Sequence, residues 1–405
     1  MSTVVVPGAA SPEAGVEAYA ADRFALTRST DAFPQTRRPL PWVLAVFVGL
    51  LFLVPLDSTR VRVQLPFDST IDRAVVALMV LAWAWFGGDE RTLVGRRRSK
   101  LVPVTMLLFL AVAFLSVILD SSRLANLGEF GLAGKKLMLE CSYVAVGLFA
   151  MTALRPEDLR GFSRYLVRLA SVLAIGVIVE RRTGFNPFYT VSHLLLSPIA
   201  TVGPAPTDIH PINGVRVAVV GPTIHGLALT TMLVMAMPFA ILGALDAPQR
   251  RSRRWYLLAL LLIFGGAVAT AEKTSVLAPA MVIGYLFCHR PRKILKLFLP
   301  LSVVLVLVIH MAAPGSLGSI LNIGAGLNSA STASRANDFG SALPDIMANP
   351  VFGRGFGSID PTQIDQFRVL DDEYLGEAIS VGLVGLACYL LMLCAPVFVA
   401  EKAAR

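Results

Sequence analysis

Most of this chain is divided into apolar blocks close to membrane-spanning length, with short charged segments between them. The blocks fall at 40–56, 74–87, 101–119, 137–154, 165–179, 224–245, 256–271, 274–288, 294–312 and 375–400, against the about 17–25 residues a transmembrane helix needs. In hydrocarbon, every backbone N–H and C=O must be satisfied internally, and a single continuous segment achieves that only as a helix. The pattern therefore dictates an all-α polytopic membrane protein, a bundle of about ten transmembrane helices. Composition agrees: 55% hydrophobic and 16% charged residues, with a mean hydropathy of +0.67, is too apolar for a soluble domain of this length.

Lysine and arginine set the expected orientation. Arg37–Arg38, Arg96–Arg98, Arg155, Arg250–Arg254 and Arg290–Lys296 mark alternate loops, and these carry the larger share of the basic residues. That face is expected to be cytoplasmic and to hold both termini. Residues 1–39, a mixed Ala, Pro, Ser and Thr tail without a signal-peptide pattern, read as a flexible cytoplasmic extension. The transmembrane domain is expected over 40–405, with two long outward loops at 181–223 and 313–374. The formal charge of +9 belongs to this topology, because no basic face is interleaved with aromatics, and nucleic-acid binding is excluded. Cys141, Cys288, Cys388 and Cys394 lie in or beside apolar blocks without metal-ligand spacing, and read as small buried residues.

The larger outward loop is where chemistry is expected, since long loops on a rigid scaffold carry function. Its 314–334 part is Gly-, Ser- and Ala-rich. From Arg335 a short amphipathic helix is predicted, with Phe339, Leu343, Ile346 and Met347 on one face, Ser334 as cap and Asn349–Pro350 as the stop.

Several residues in these loops have chemistry to offer. Arg216 and Arg335 are outward guanidinium groups, always charged and able to grip a phosphate with two parallel hydrogen bonds, although outward arginines also meet lipid headgroups. Gly353–Arg354–Gly355–Phe356–Gly357 can aim backbone N–H groups at an anion, or be a plain turn. Asp371, Asp372 and Glu373 precede the last span. They either complement a helix dipole or supply a general base. His225 opens a span, and a lone histidine there is more often structural. Glu140 lies inside a span and needs a partner or water. In Glu272–Lys273–Thr274, on a short outward hairpin, a local ion pair is the plain reading.

Taken in order and spacing, these pieces resemble the O-antigen ligase and polymerase superfamily, bacterial membrane glycosyltransferases that act on undecaprenyl-pyrophosphate-linked glycans. Arg216 followed by Gly-Pro-Thr-Ile-His-Gly resembles the family's arginine and His segment entering a helix. Arg335 through Asn349–Pro350 and Gly353–Gly357 resembles its Arg-led loop helix and Gly-x-Gly turn. Asp372–Leu375 with Gly382 and Gly385 resembles its Asn-x-Tyr-Leu and Gly-x-x-Gly. The likeness covers about 181–400.

The resemblance implies that Arg216 and Arg335 hold the donor pyrophosphate, with Lys273 as a further cation, and that no metal or cofactor takes part. Many ligases carry histidine where Asp371 stands, which makes Asp371 the base that the resemblance implies. The activity implied is metal-independent, inverting transfer or polymerisation of a lipid-pyrophosphate-linked glycan onto a glycan or lipid acceptor. It would take place at the outer face of the bacterial cytoplasmic membrane, in the bilayer and in company with other polysaccharide-assembly proteins. The competing classes are a transporter or flippase of lipid-linked glycan, which needs charged residues through its spans, and a non-catalytic component of polysaccharide export.

Overall fold

A computed structural model of the chain describes residues 33–34, 38–62, 70–91, 99–206, 209–211, 215–217, 219–270, 272, 274–312, 330–358 and 373–404. The expected tail at 1–39 lies almost wholly outside the described residues. The rest is dominated by helices: α1 (Pro39–Leu53), α2 (Ile71–Arg91), α3 (Leu101–Leu119), α4 (Ser121–Asn126), α5 (Phe130–Ala153), α6 (Leu159–Thr183) and α7 (Pro187–Leu196). They continue with α8 (Gly226–Asp246), α9 (Arg250–Ala269), α10 (Thr274–His289), α11 (Pro291–Ala312), α12 (Ala330–Ala348) and α13 (Glu373–Ala404).

Each of the ten apolar blocks coincides with a helix. Six of those helices, α3, α5, α6, α8, α9 and α13, are long and apolar enough to cross a membrane, while α1, α10 and the apolar part of α2 are shorter. The chain is a multi-pass all-α membrane protein, and six of its helices among the described residues have the length and hydropathy of a full span. One addition was not legible in the apolar pattern. Two short antiparallel strand pairs occur outside the spans, β1 (Thr59–Val61) with β2 (Ala200–Val202) and β3 (Ile209–Pro211) with β4 (Val215–Val217).

The chain folds as two compact units. The first takes in Met1–Val54, Leu154–Phe188 and Pro206–Leu305, and is built on the mutual packing of α6, α8 and α9. Leu173 and Val177 of α6, Leu229, Leu233 and Met237 of α8, and Ile263 and Ala267 of α9 fill its core. Small residues let these helices approach closely, as membrane bundles require: a Cβ at Gly266 would stand 2.8 Å from that of Ala174. At the other end, Tyr165 donates its hydroxyl to the Ala45 carbonyl of α1 at 2.7 Å.

The second unit takes in Pro55–Ala153, Tyr189–Ala205 and Val306–Arg405. Its centre is α3 against α13, where Phe109, Val112, Ala113 and Val117 meet Phe356, Val381 and Cys388. Helix α13 is broken at Gly382, whose φ of 70° and ψ of −174° are not helical. Helix α12 forms where the sequence predicts one and extends from Ala330 through Pro344. Its faces differ from the prediction. Ile346 packs inward with Ala342 against Ala378 and Ile379, whereas Phe339, Leu343 and Met347 are exposed. Ile346 and Met347 are adjacent residues about 100° apart around the helix, enough to turn one inward and the other outward.

Candidate functional site

In the first unit, the segment entering α8 is organised by one carboxylate. Glu180 stands in the last turn of α6 and is 4% exposed. Its Oε1 accepts from Asn186 Nδ2 at 2.9 Å and from the Val220 N–H at 3.3 Å. Its Oε2 accepts from the Gly221 N–H at 2.9 Å. Asn186 Nδ2 also donates to the Gly221 carbonyl at 2.8 Å. Gly184, with φ +71°, closes α6 by donating its N–H back to the Glu180 carbonyl, a left-handed cap that returns the chain so that Asn186 can reach this group.

Arg216 lies in β4, opposite His210. Beyond it, Thr223 donates its hydroxyl to the Val220 and His225 carbonyls at 2.7 and 2.8 Å. His225 is exposed at the α8 N-terminus. Glu272 borders the same helix start, where a Cβ on Gly226 would come 3.0 Å from its Oε1, so a carboxylate faces the positive end of a helix dipole. Deeper in, the hydroxyls of Thr230 and Thr270 pair at 2.8 Å. Lys273 lies outside the described residues.

In the second unit, a tight turn at 349–358 is inserted at the break in α13. The broken helix leaves acceptors and donors without partners, and the turn supplies them. Arg354 N–H donates to the Ile379 carbonyl at 2.9 Å and Gly355 N–H to that of Ser380 at 3.0 Å; in return the Leu383 N–H donates to Pro350 at 2.8 Å. Ser116 of α3 completes the joint, donating its hydroxyl to the Ser380 carbonyl at 3.0 Å and accepting from the Phe356 N–H at 3.1 Å. Only glycine fits the closest approach. A Cβ on Gly353 would lie 2.5 Å from the Ser380 carbonyl, and one on Gly382 would lie 2.3 Å from that of Val351, both at positive φ.

The Arg354 and Gly355 N–H groups of this turn are thus used on carbonyls of the broken helix, so of the two sequence readings, anion nest or plain turn, these two groups act as a turn. The Arg354 guanidinium pairs with Glu129 at 3.2 Å. Glu129 also receives Arg123 at 3.3 Å, and Arg123 reaches Asp120 at 2.8 Å. This chain of alternating charges ties the α3–α5 connection to the turn. An anion arriving at Arg354 meets a guanidinium already shared with a carboxylate.

Glu373 is exposed at the start of α13. It lies within electrostatic reach of Glu377, one helical turn on, and of Glu140 in α5, and the last two also feel each other. Glu377 Oε2 is buried without a hydrogen-bond partner among the described residues. Asp371 and Asp372 lie outside the described residues, and Arg335 stands in the first half of α12. The structure therefore brings Glu140, read in the sequence as a span carboxylate that needs a partner or water, within electrostatic reach of Glu373. It adds Glu377, Glu180, Asn186 and the Arg123–Glu129 pair. The 373/377 spacing of one turn was the signal available for Glu377. Glu180, followed by Arg181 and Arg182, looks in the sequence like an ordinary span end.

The O-antigen ligase family matches residues 258–390. That stretch contains most of α9, all of α10–α12, the turn at 349–358 and the first part of α13 with Gly382. It bears out the resemblance over a shorter range than 181–400, leaving Arg216 and His225 outside the match. No curated protein and no solved structure matches the chain. The match supports a function of the O-antigen ligase and polymerase type for this multi-pass membrane protein.

Proposed function

We propose that the protein transfers or polymerises a glycan carried on undecaprenyl pyrophosphate, joining it to an acceptor hydroxyl at the outer face of the bacterial cytoplasmic membrane. The observation that carries this reading is the family match across α12, the inserted turn and the broken α13, in a region whose helix start holds clustered carboxylates. The acceptor hydroxyl attacks the anomeric carbon and loses its proton to a carboxylate. The carbon–oxygen bond to the pyrophosphate breaks, and its electron pair leaves with the lipid pyrophosphate. One displacement at that carbon inverts its configuration. Guanidinium and ammonium groups stabilise the charge that grows on the leaving group, so the reaction asks for no metal.

In this reading Arg216, Arg335 and Lys273 are the phosphate-binding residues. Arg354 is a fourth cation, one for which Glu129 competes, and Asp371 is the base, with Asp372 and Glu373 beside it and His225 as a further candidate. Both long loops face outward and both termini lie in the cytoplasm. Four measurements test it. Deleting the protein in its host is expected to leave lipid-linked glycan unused: long chains indicate a ligase, single repeat units a polymerase, and an unchanged glycan pool refutes the proposal. Arg216→Ala and Arg335→Ala, at normal abundance, are each expected to abolish surface attachment or elongation. Asp371→Asn is expected to impair transfer far more than Asp360→Asn, and equal, full activity of both removes Asp371 as base. Activity is expected to survive exhaustive chelation.

A further inference from the structure

Two helices outside the full-length spans share an unusual cross-section with three sectors. In α7 one sector is buried through Tyr189 and Ser192. The Tyr189 and Ser58 hydroxyls are 2.8 Å apart, and the β1–β2 ladder follows, so this helix is held in place on its inner side. A second sector carries Val191, Leu194 and Leu195, exposed to 51, 78 and 68%, and Ile199 continues it past the helix end. The third holds Thr190 and His193. At 100° per residue the three sectors are spaced around the helix, the exposed apolar one centred about 120° or more from both the buried sector and the polar flank.

Helix α12 repeats the arrangement in a different loop. Ala342 and Ile346 fill the inner sector. Phe339, Leu343 and Met347, at successive intervals of four, form an exposed apolar stripe, and Ser341 and Asp345 form the polar flank. In both helices the protein's own core is already filled, so the second apolar sector is surplus to folding. Facing water it would forgo about 25 cal/mol for each Å² of apolar surface.

The positions of these helices say what covers the stripes. Helix α7 follows directly on α6, whose last turn carries Arg181 and Arg182, residues that mark headgroup depth at the end of a span. Helix α12 packs on the first turns of α13, where that span begins. Ten residues in α7 reach about 15 Å, half the hydrocarbon thickness. Helix α12 is longer, at 19 residues, but is not among the helices apolar enough to cross; a helix at a span's end with an apolar sector and a polar flank fits a bilayer interface.

We propose that α7 and α12 lie in the plane of the membrane interface, with their exposed stripes among the lipid acyl chains and their polar flanks in the headgroups. The partner is the lipid surface itself. This inference is independent of the proposed glycan chemistry and stands or falls without it. If both hold, the loop helix bearing Arg335 is fixed at the depth where a lipid-linked phosphate resides.

The test uses the full chain in lipid nanodiscs, with the four native cysteines replaced and single nitroxide labels attached at Leu194→Cys, Leu343→Cys, His193→Cys and Ala348→Cys. Labels at 194 and 343 are expected to show an oxygen-to-nickel-chelate accessibility ratio several-fold above those at 193 and 348. Equal ratios at all four positions, or stripe labels shielded from both reagents by protein, overturn the proposal. The unmodified chain supplies a second measurement that needs no substitution. Phospholipids carrying a diazirine near the top of the acyl chain are expected to label peptides covering 187–199 and 339–348. Labelling confined to the six full-length spans refutes it.

Discussion

Two glycine-punctuated segments lead into helices here, 219–226 before α8 and 349–358 against α13, and they are held by opposite means. The first depends on a side chain: one buried carboxylate, Glu180, gathers two backbone N–H groups and an amide. The second depends on the lack of side chains, because backbone meets backbone across Gly353 and Gly382. Charge-assisted hydrogen bonds concentrate their energy in one residue. Close packing spreads it over a contact that a single added methyl group destroys. Glycine-rich loops that look alike in sequence therefore fail in different ways.

The sharpest break should come from filling the second joint. Gly382→Ala or Gly353→Ala combines positive-φ strain with a clash against a carbonyl, and should cost about 3 kcal/mol or more. Thermal unfolding in detergent checks this, and an unshifted midpoint would mean that the turn is not docked as described. Glu180→Ala strands its donors in a buried setting and should cost about 3 kcal/mol, with Glu180→Gln losing roughly half as much because one oxygen still accepts. Equal losses for the two would show that the volume of residue 180, and not its oxygens, organises the first segment.

Removing charge from the second region should matter less. Glu129→Gln leaves Arg123 and Arg354 with a neutral partner and should cost about 2 kcal/mol, since the group is only partly shielded from solvent. Raising salt should weaken the wild type towards the variant if the pairing is the cause. Ser116→Ala removes one donor and one acceptor at the joint and should cost about 1 kcal/mol. A loss as large as that of Glu180→Ala would overturn the contrast, since the second region would then also hang on one side chain.

The helices were legible because hydrocarbon leaves the backbone one solution, and each apolar block became a helix. Span count was less so, since a block such as 274–288 is apolar enough yet stops short of full length. The two faces of α12 were missed because Ile346 and Met347 are neighbours in sequence and equally apolar. What separates them is that Ala378 and Ile379 stand on one side only. The turn at 349–358 was read as a possible anion nest because its glycines were visible while its acceptors were not. Those acceptors are carbonyls freed by the break at Gly382, about thirty residues along the chain. Glu180 was hidden for a similar reason: its partners, Val220 and Gly221, are unremarkable until α6 and α8 pack.

The break in α13 has one more consequence, for measurement. Amides inside a membrane helix ordinarily report on the helix alone, because each donates to a carbonyl four residues back. Leu383 and Val384 instead donate to Pro350 and Val351. Their hydrogen exchange is therefore a gauge of another part of the molecule. It will slow when the 349–358 turn is seated and quicken when it lifts, while Leu390 and Leu391 further along the same helix stay silent.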